Sequence, residues 1–393
     1  RERNEFAKEQ LHNYLKRKCF DISGNLYNEG TITKDINIFI RNYVKPKKET
    51  VKLEIEEDYS ALLLDLEIIS QTLKDIFQVE KIRNLGFFSK PTVNSLLSFQ
   101  IADRHYIMKV LTREPTRDAE FYRFEKEAEL LRFFAREATR KGAPVEQILS
   151  VPVPEVIHLE SNVGFVGFKF EILAFVPGIT LDEGWKRIPS SQKERLTKQI
   201  ARIVRGIHSV TYDMFGDIED FACPRRFYSF SSMLKANLRR DVRVLGIRGR
   251  LPLTLLAEAQ QFVEDNLEKA TNFLGEPTLV HSDLNLTNFL VAEDEFGDWQ
   301  VRALFDFEWA YAGNSLADLF GVEKDLFSEP SFQKLFFEEY SDGKLVDLEA
   351  YPLERKLLKI VAALGSAAYG WVHFHPTKEN LERIITTIRR ALD

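Results

Sequence analysis

The sequence predicts a bilobal α/β protein, with a small strand-rich half ahead of a larger, mainly helical one. Three observations carry this expectation. Residues 81–111 hold short apolar runs with period-2 alternation broken by turn signals. Long amphipathic stretches with helical spacing follow from about residue 185. One non-helical segment, 279–309, interrupts them with polar groups set between apolar runs. With 393 residues, 44% of them hydrophobic, the chain is long enough for a substantial core and two lobes.

Residues 4–18 fit a short helix through Phe6, Leu11, Tyr14 and Leu15, and the next 30 residues end in the basic "KPKKE", read as solvated linker. From Asp58, "DYSALLLDLEIISQTLKDIF" reads as a helix presenting Leu62, Leu66, Ile69, Leu73 and Ile76 on one face. Short strands follow, with turns at Gly86 to Asn94 and at "ADRH". In the last of these strands Tyr106, Met108 and Val110 share one face, and Ile107, Lys109 and Leu111 the other. "RDAEFYRFEKEAELLRFFAREATRKG" reads as a charged amphipathic helix ending at Gly142. "VPVPEVIHL" reads as a stiff extended connector, and "VGFVGFKFEILAFVPGITL" as two strands and an exit turn at Pro177–Gly178. The expected organisation is an appendage over 1–57, a first lobe over 58–175 and a helical lobe over 176–393, with a linker near 174–180 and no internal repeat.

Composition narrows the function classes. The net charge of −6, from 54 Lys+Arg and 60 Asp+Glu, gives no global attraction to nucleic acid. Cys19 and Cys223 are the only cysteines and lack metal-ligand spacing, which speaks against a disulfide framework and suits a reducing, cytoplasmic compartment. No apolar run approaches the ~18 residues of a membrane-spanning helix. The chain opens without Met, which leaves a removed targeting segment open.

The chemistry concentrates in two stretches. In "LVHSDLNLTNFLV", residues 279–291, His281, Asp283, Asn285 and Asn288 lie between apolar ends, and such groups need partners once buried. In "VRALFDFEWA", Asp306 ends an apolar run. The two read as a β-hairpin turning through "AEDEFGDWQ", which gathers Asp283, Asn288 and Asp306 at one end. That set suits phosphoryl transfer. One carboxylate orients a hydroxyl, an Asn and a second carboxylate hold magnesium, and a lysine neutralises phosphate oxygens. Lys109 is the candidate lysine and Glu127 its candidate partner, ahead of Glu125 and Glu120. Asp283 and Asn288 are equally the residue types that cap turns, and Lys109 the type that decorates a solvated strand face.

In combination these stretches resemble the aminoglycoside phosphotransferase family, a branch of the protein-kinase-like fold that phosphorylates small molecules. The resemblance rests on "HSDLNLTNFLV", "LFDFEWAYAGNSLADL", "VPVPEV", "FVPGITLDEGW" and "IVRGIHSV", covers roughly residues 80–375, and looks nearest to fungal and other eukaryotic members. It implies a small antiparallel-sheet N-lobe and a larger, mainly helical C-lobe with ATP, or GTP, bound between them with Mg2+. By family pattern Asp283 is similar to the catalytic base, Asn288 and Asp306 to the magnesium ligands, Lys109 to the phosphate-binding lysine and Glu127 to its ion-pair partner. The resemblance places adenine against residues 171–176, hydrogen-bonded to their backbone, Glu171, Leu173 and Phe175 among them, and Ser89 or Asn94 beside the phosphates. His281 is expected to brace the loop, with Asp318 tying the 313–318 turn to it. Ser282 replaces a glycine common in relatives, a change expected to be tolerated with ordinary backbone angles.

The reading is therefore a magnesium-dependent kinase acting on a small-molecule hydroxyl, without nucleic-acid or membrane partners. Residues 1–57 offer a surface for a protein partner. The alternatives are a nucleotide-binding scaffold without transfer, suggested by the bulky "LGFFSKPTVN" turn, and a protein kinase, for which no peptide-docking sequence follows Asp306.

Overall fold

The computed structural model describes residues 64–392 apart from the short segments 89–93, 112–121, 141–149, 163–167, 219–225, 249–250, 271–272, 274, 323–328, 342–349 and 374–376. The appendage over 1–57, both cysteines, Ser89, Glu120 and Gly142 lie outside the described residues.

Helix α1 (Leu66–Phe77) begins where Asp65 accepts the main-chain N–H of Glu67 at 2.8 Å, an N-cap that sets its start eight residues beyond Asp58. Ile69 and Leu73 are fully buried, whereas Leu66 is exposed, so the apolar face is narrower than the pattern suggests. Next come β1 (Arg83–Phe87), β2 (Asn94–Ile101) and β3 (Arg104–Leu111). Gly86 sits inside β1, after a register shift, instead of opening the turn. Helix α2 (Arg123–Ala138) stops well before Gly142. The supposed connector contains a strand, β4 (Val156–Glu160), which pairs with β5 (Phe170–Ala174). Its prolines, Pro152 and Pro154, lie before the strand, and β4 is an edge strand in the order β1-β2-β3-β5-β4. All pairs of this sheet are antiparallel.

Strand periodicity gives the sheet two different faces. Leu97, Met108 and Ile172 are in cross-strand register, fully buried, and pack in one cluster with Ile69 and Leu73 of α1. Truncating one of them, as in Met108→Ala, would cost about 2–5 kcal/mol. One residue along, Leu96, Lys109 and Glu171 form the next cross-strand row, which alternation turns to the opposite face.

The chain leaves the sheet through Pro177 and Gly178 into β6 (Ile179–Thr180). A Cβ on Gly178 would stand 2.8 Å from the Val291 carbonyl oxygen, so only glycine allows this close crossing. Helices α3 (Leu181–Trp185) and α4 (Ser190–His208), strands β7 (Phe215–Gly216) and β8 (Arg226–Phe227), and helices α5 (Phe230–Arg248) and α6 (Leu253–Asn266) follow. Then come β9 (Thr278–Val280), β10 (Phe289–Glu293), β11 (Trp299–Leu304), β12 (Tyr311–Gly313), α7 (Leu316–Gly321), α8 (Pro330–Tyr340), α9 (Pro352–His373) and α10 (Lys378–Leu392). Buried side chains of α4, α5, α6 and α9, among them Ile200, Leu238, Val263 and Leu364, join one large core that also takes in Leu131 and Phe134 of α2. Among the described residues no helix is long and apolar enough to cross a membrane.

Candidate active site

β10 and β11 form the expected antiparallel hairpin, with Phe289 opposite Leu304. Phe305 donates its N–H to the Asn288 carbonyl at 3.2 Å, so the residues before one strand and after the other lie side by side.

The loop entering this hairpin is held by buried groups. Asp318, at the start of α7, accepts the main-chain N–H of His281 at 2.7 Å and of Ser282 at 2.8 Å, and lies 3.2 Å from His208 Nε2. His208 Nδ1 in turn meets the Tyr340 hydroxyl at 2.8 Å. His281 is fully buried. Its Nδ1 accepts the Asp283 N–H at 3.3 Å, which leaves Nε2 to donate to the Phe305 carbonyl at 3.1 Å. That arrangement requires the neutral ring, and burial lowers the pKa of His281 accordingly. His281 and Asp318 thus brace the loop.

Ser282 does not have ordinary backbone angles. Its φ is +74°, in the left-handed region that favours glycine. The cause is a tertiary contact, because two successive amides both turn toward one carboxylate, that of Asp318.

Asp283 is oriented by two amides. Asn285 Nδ2 donates to its Oδ1 and Asn288 Nδ2 to its Oδ2, each at 2.9 Å. Asn288 Nδ2 also reaches the Asp283 carbonyl at 2.9 Å, which leaves the Asn288 Oδ1 as the side chain's acceptor. Asn285 caps the short turn Leu286–Asn288 by accepting the Thr287 N–H.

The second cluster joins the sheet to the segment after β11. Lys109 Nζ lies 2.5 Å from Glu127 Oε2 and 2.8 Å from Asp306 Oδ1. It lies 3.5 Å from Glu308 and 3.9 Å from Glu171. Glu127 Oε1 accepts the Asp306 N–H at 3.0 Å, so a residue of α2 fixes the Asp306 backbone while Lys109 of β3 holds its side chain. Burial works to lower the Lys109 pKa, but Asp306, Glu127, Glu308 and Glu171 outweigh it and hold the lysine well above its ordinary value. Asp306 itself has φ +69°, a second left-handed residue in the site. Glu125, the rival partner, is instead paired with Lys169 at 2.5 Å.

The adenine-side residues behave differently. Glu171 is fully buried, directly across from Lys109 in the same row. Burial, then the neighbouring Glu127 charge, pushes its pKa well above the ordinary carboxylate value. Leu173 is buried, and the Phe175 N–H donates to the His105 carbonyl at 3.1 Å, which commits that amide to the sheet edge. The Phe175 ring meets Phe88 edge to face at 6.3 Å. Asn94 is nearly buried and bonded to Glu308 and Arg123. The sequence reading missed Arg123, although it stands four residues before Glu127, one helical turn away on the same face.

Comparison with family models decides the kinship. Residues 94–360 match the phosphotransferase enzyme family. The chain belongs to this family. Residues 1–93 match a second model, a protein family of unknown function. The boundary between the two matches falls between β1 and β2, which pair with each other in this phosphotransferase family member's sheet. Comparison with curated proteins returns no match. Among solved structures, aminoglycoside phosphotransferase APH(4)-Ia aligns at 15% identity and a TM-score of 0.58, over 84% of this chain and 98% of that one. ADP-bound APH(2'')-Ib aligns at 18% identity and 0.58, over 84% and 99%. APH(2'')-IIa in complex with gentamicin aligns at 18% and 0.59, over 84% and 97%. At these identities the likeness is one of fold, the protein-kinase-like fold with its antiparallel N-lobe sheet and helical C-lobe. It lends no support to a special nearness to fungal or other eukaryotic members.

Proposed function

We propose that this chain moves the γ-phosphoryl group of ATP, or of GTP, to a hydroxyl of a small molecule. The observation that carries the reading is the joining of buried Lys109 and Glu127 to the partly exposed Asp306 in one network, with the Asp283–Asn288 pair placed by the adjoining hairpin. It is supported by the family membership and by relatives of the same fold whose structures contain AMP-PNP with hygromycin B, or ADP.

In this reading Lys109 binds phosphate oxygens and Glu127 holds it in place. Asp283, fixed by Asn285 and Asn288, orients the acceptor hydroxyl and takes its proton. Lys109 already sits among the carboxylates of Glu127, Asp306 and Glu308, whereas the Asp306 carboxylate and the Asn288 Oδ1 offer hard oxygen donors of the kind that fits magnesium. Asn288 and Asp306 would be its ligands, and the ion would supply neutralisation of phosphate charge. Main chain near residues 174–176, where β5 ends, would meet the base. Alignment and fixed charge then supply most of the rate enhancement.

The test is ADP release with a panel of hydroxyl compounds, for wild type and Asp283→Asn. Turnover in the wild type that the variant loses by about 10²–10⁴-fold, with nucleotide affinity kept, supports the reading. Nucleotide affinity without transfer to any acceptor favours a scaffold, and transfer only to protein favours a protein kinase.

A further inference from the structure

Lys109 stands among four carboxyl groups but has only three N–H donors. Two are taken, by Glu127 at 2.5 Å and Asp306 at 2.8 Å. The third decides whether the lysine is available to a phosphate, and the nearest rival for it is Glu308, at 3.5 Å. Something holds that carboxylate just beyond a good hydrogen bond.

The holding groups are Arg123 and Asn94. Arg123, the first residue of α2, is almost fully buried, and its Nη2 donates to Asn94 Oδ1 at 2.8 Å. Asn94, the first residue of β2, donates through Nδ2 to Glu308 Oε2 at 3.0 Å. Arg123 Nε faces the same oxygen at 3.6 Å and makes no hydrogen bond of its own. The guanidinium also lies 5.8 Å from the ring centres of Phe124 and of Trp309. A buried guanidinium needs a countercharge, and Glu308, itself buried, is within ion-pair range. The same Glu308 oxygen is therefore shared between Asn94, Arg123 and Lys109, and its closest bond is to Asn94.

We propose that Arg123 is a positioning residue for the phosphate-binding lysine. Through Asn94 and Glu308 it withholds a third acceptor from Lys109 and so keeps one N–H for the nucleotide. The inference rests on the phosphotransfer reading for its purpose, but the contact it describes is testable without nucleotide. Without the arginine, the buried Glu308 charge has Lys109 as its nearest remaining cation and moves onto it. Lys109 then becomes less nucleophilic and less open to phosphate.

The experiment compares wild type, Arg123→Met, Glu308→Gln and the double variant, with Arg123→Lys as a charge-retaining control. The rate of Lys109 acetylation by acetic anhydride is read by mass spectrometry without nucleotide, and MgATP affinity by calorimetry. Arg123→Met is expected to slow acetylation severalfold and weaken MgATP about tenfold, the scale of one lost buried charge contact. Adding Glu308→Gln to it should return both toward wild type, a rescue that a merely structural arginine would not show. Arg123→Lys should fall between, and it carries the test if the Met variant fails to fold. Unchanged acetylation in a folded Arg123 variant, or no rescue in a folded double variant, overturns the proposal. If wild type binds no MgATP, the phosphotransfer reading falls, while acetylation still decides the role of Arg123.

Discussion

Asp306 donates its main-chain N–H to Glu127 Oε1 at 3.0 Å, while the other oxygen of Glu127 holds Lys109. One glutamate on α2 thereby fixes both the phosphate-binding candidate and the metal-binding candidate. Glu127→Gln keeps an acceptor for the Asp306 amide but sets a neutral group against the lysine. It should destabilise the fold by about 2–4 kcal/mol, because Lys109 is left buried with less countercharge. Chemical denaturation measures this, and a loss under 0.5 kcal/mol would contradict it. MgATP affinity should fall in parallel.

Ser282 offers the opposite sign. At φ +74° it bears steric strain that glycine lacks. Ser282→Gly should stabilise the protein by about 1 kcal/mol, offset in part by the freedom glycine gains in the unfolded chain. Thermal unfolding should show a rise of about 1–2 °C with turnover retained. A lower midpoint would mean that the serine hydroxyl contributes more than the backbone strain costs.

Asp318 serves two main-chain amides and lies against His208. Asp318→Asn halves its acceptor capacity and removes its charge. We expect a loss of about 2 kcal/mol, the scale of a charge-assisted hydrogen bond, and a lower kcat as the 281–283 loop loosens. An unchanged melting temperature would show that other contacts hold this loop.

Glu171 gives a pH signature. Its folded-state pKa lies above its unfolded value, because burial first and Glu127 second disfavour the charged form. A raised carboxyl pKa gives stability that is fully present below the unfolded pKa and lost as pH rises through the folded one. Glu171→Gln, which mimics the neutral acid, should match wild type near pH 4 and exceed it from neutral pH upward. Denaturation midpoints across pH measure the gap. Curves that stay parallel would mean Glu171 is ionised in the folded protein.

Much of the candidate site was legible in the sequence, because strand period and hairpin pairing are local. Alternation along β3 put Lys109 opposite Met108, and the 289–304 hairpin put Asn288 beside Phe305. What was not legible depends on distant partners. The Ser282 backbone is set by Asp318, 36 residues on, and the Asn94 side chain by Glu308, 214 residues on. Residue type carries no such information. Pro152 and Pro154, just before β4, mask an edge strand that only pairing with β5 reveals. The register that puts Glu171 across from Lys109, with its carboxyl 3.9 Å from the lysine, is likewise set by pairing between β3 and β5.

The most direct test of the central claim is calorimetric titration of ATP, with and without magnesium, into wild type and Asp306→Ala. Magnesium is expected to strengthen ATP binding to wild type by at least about tenfold, and the folded variant to lose this enhancement. No measurable ATP binding by wild type in either condition would contradict it.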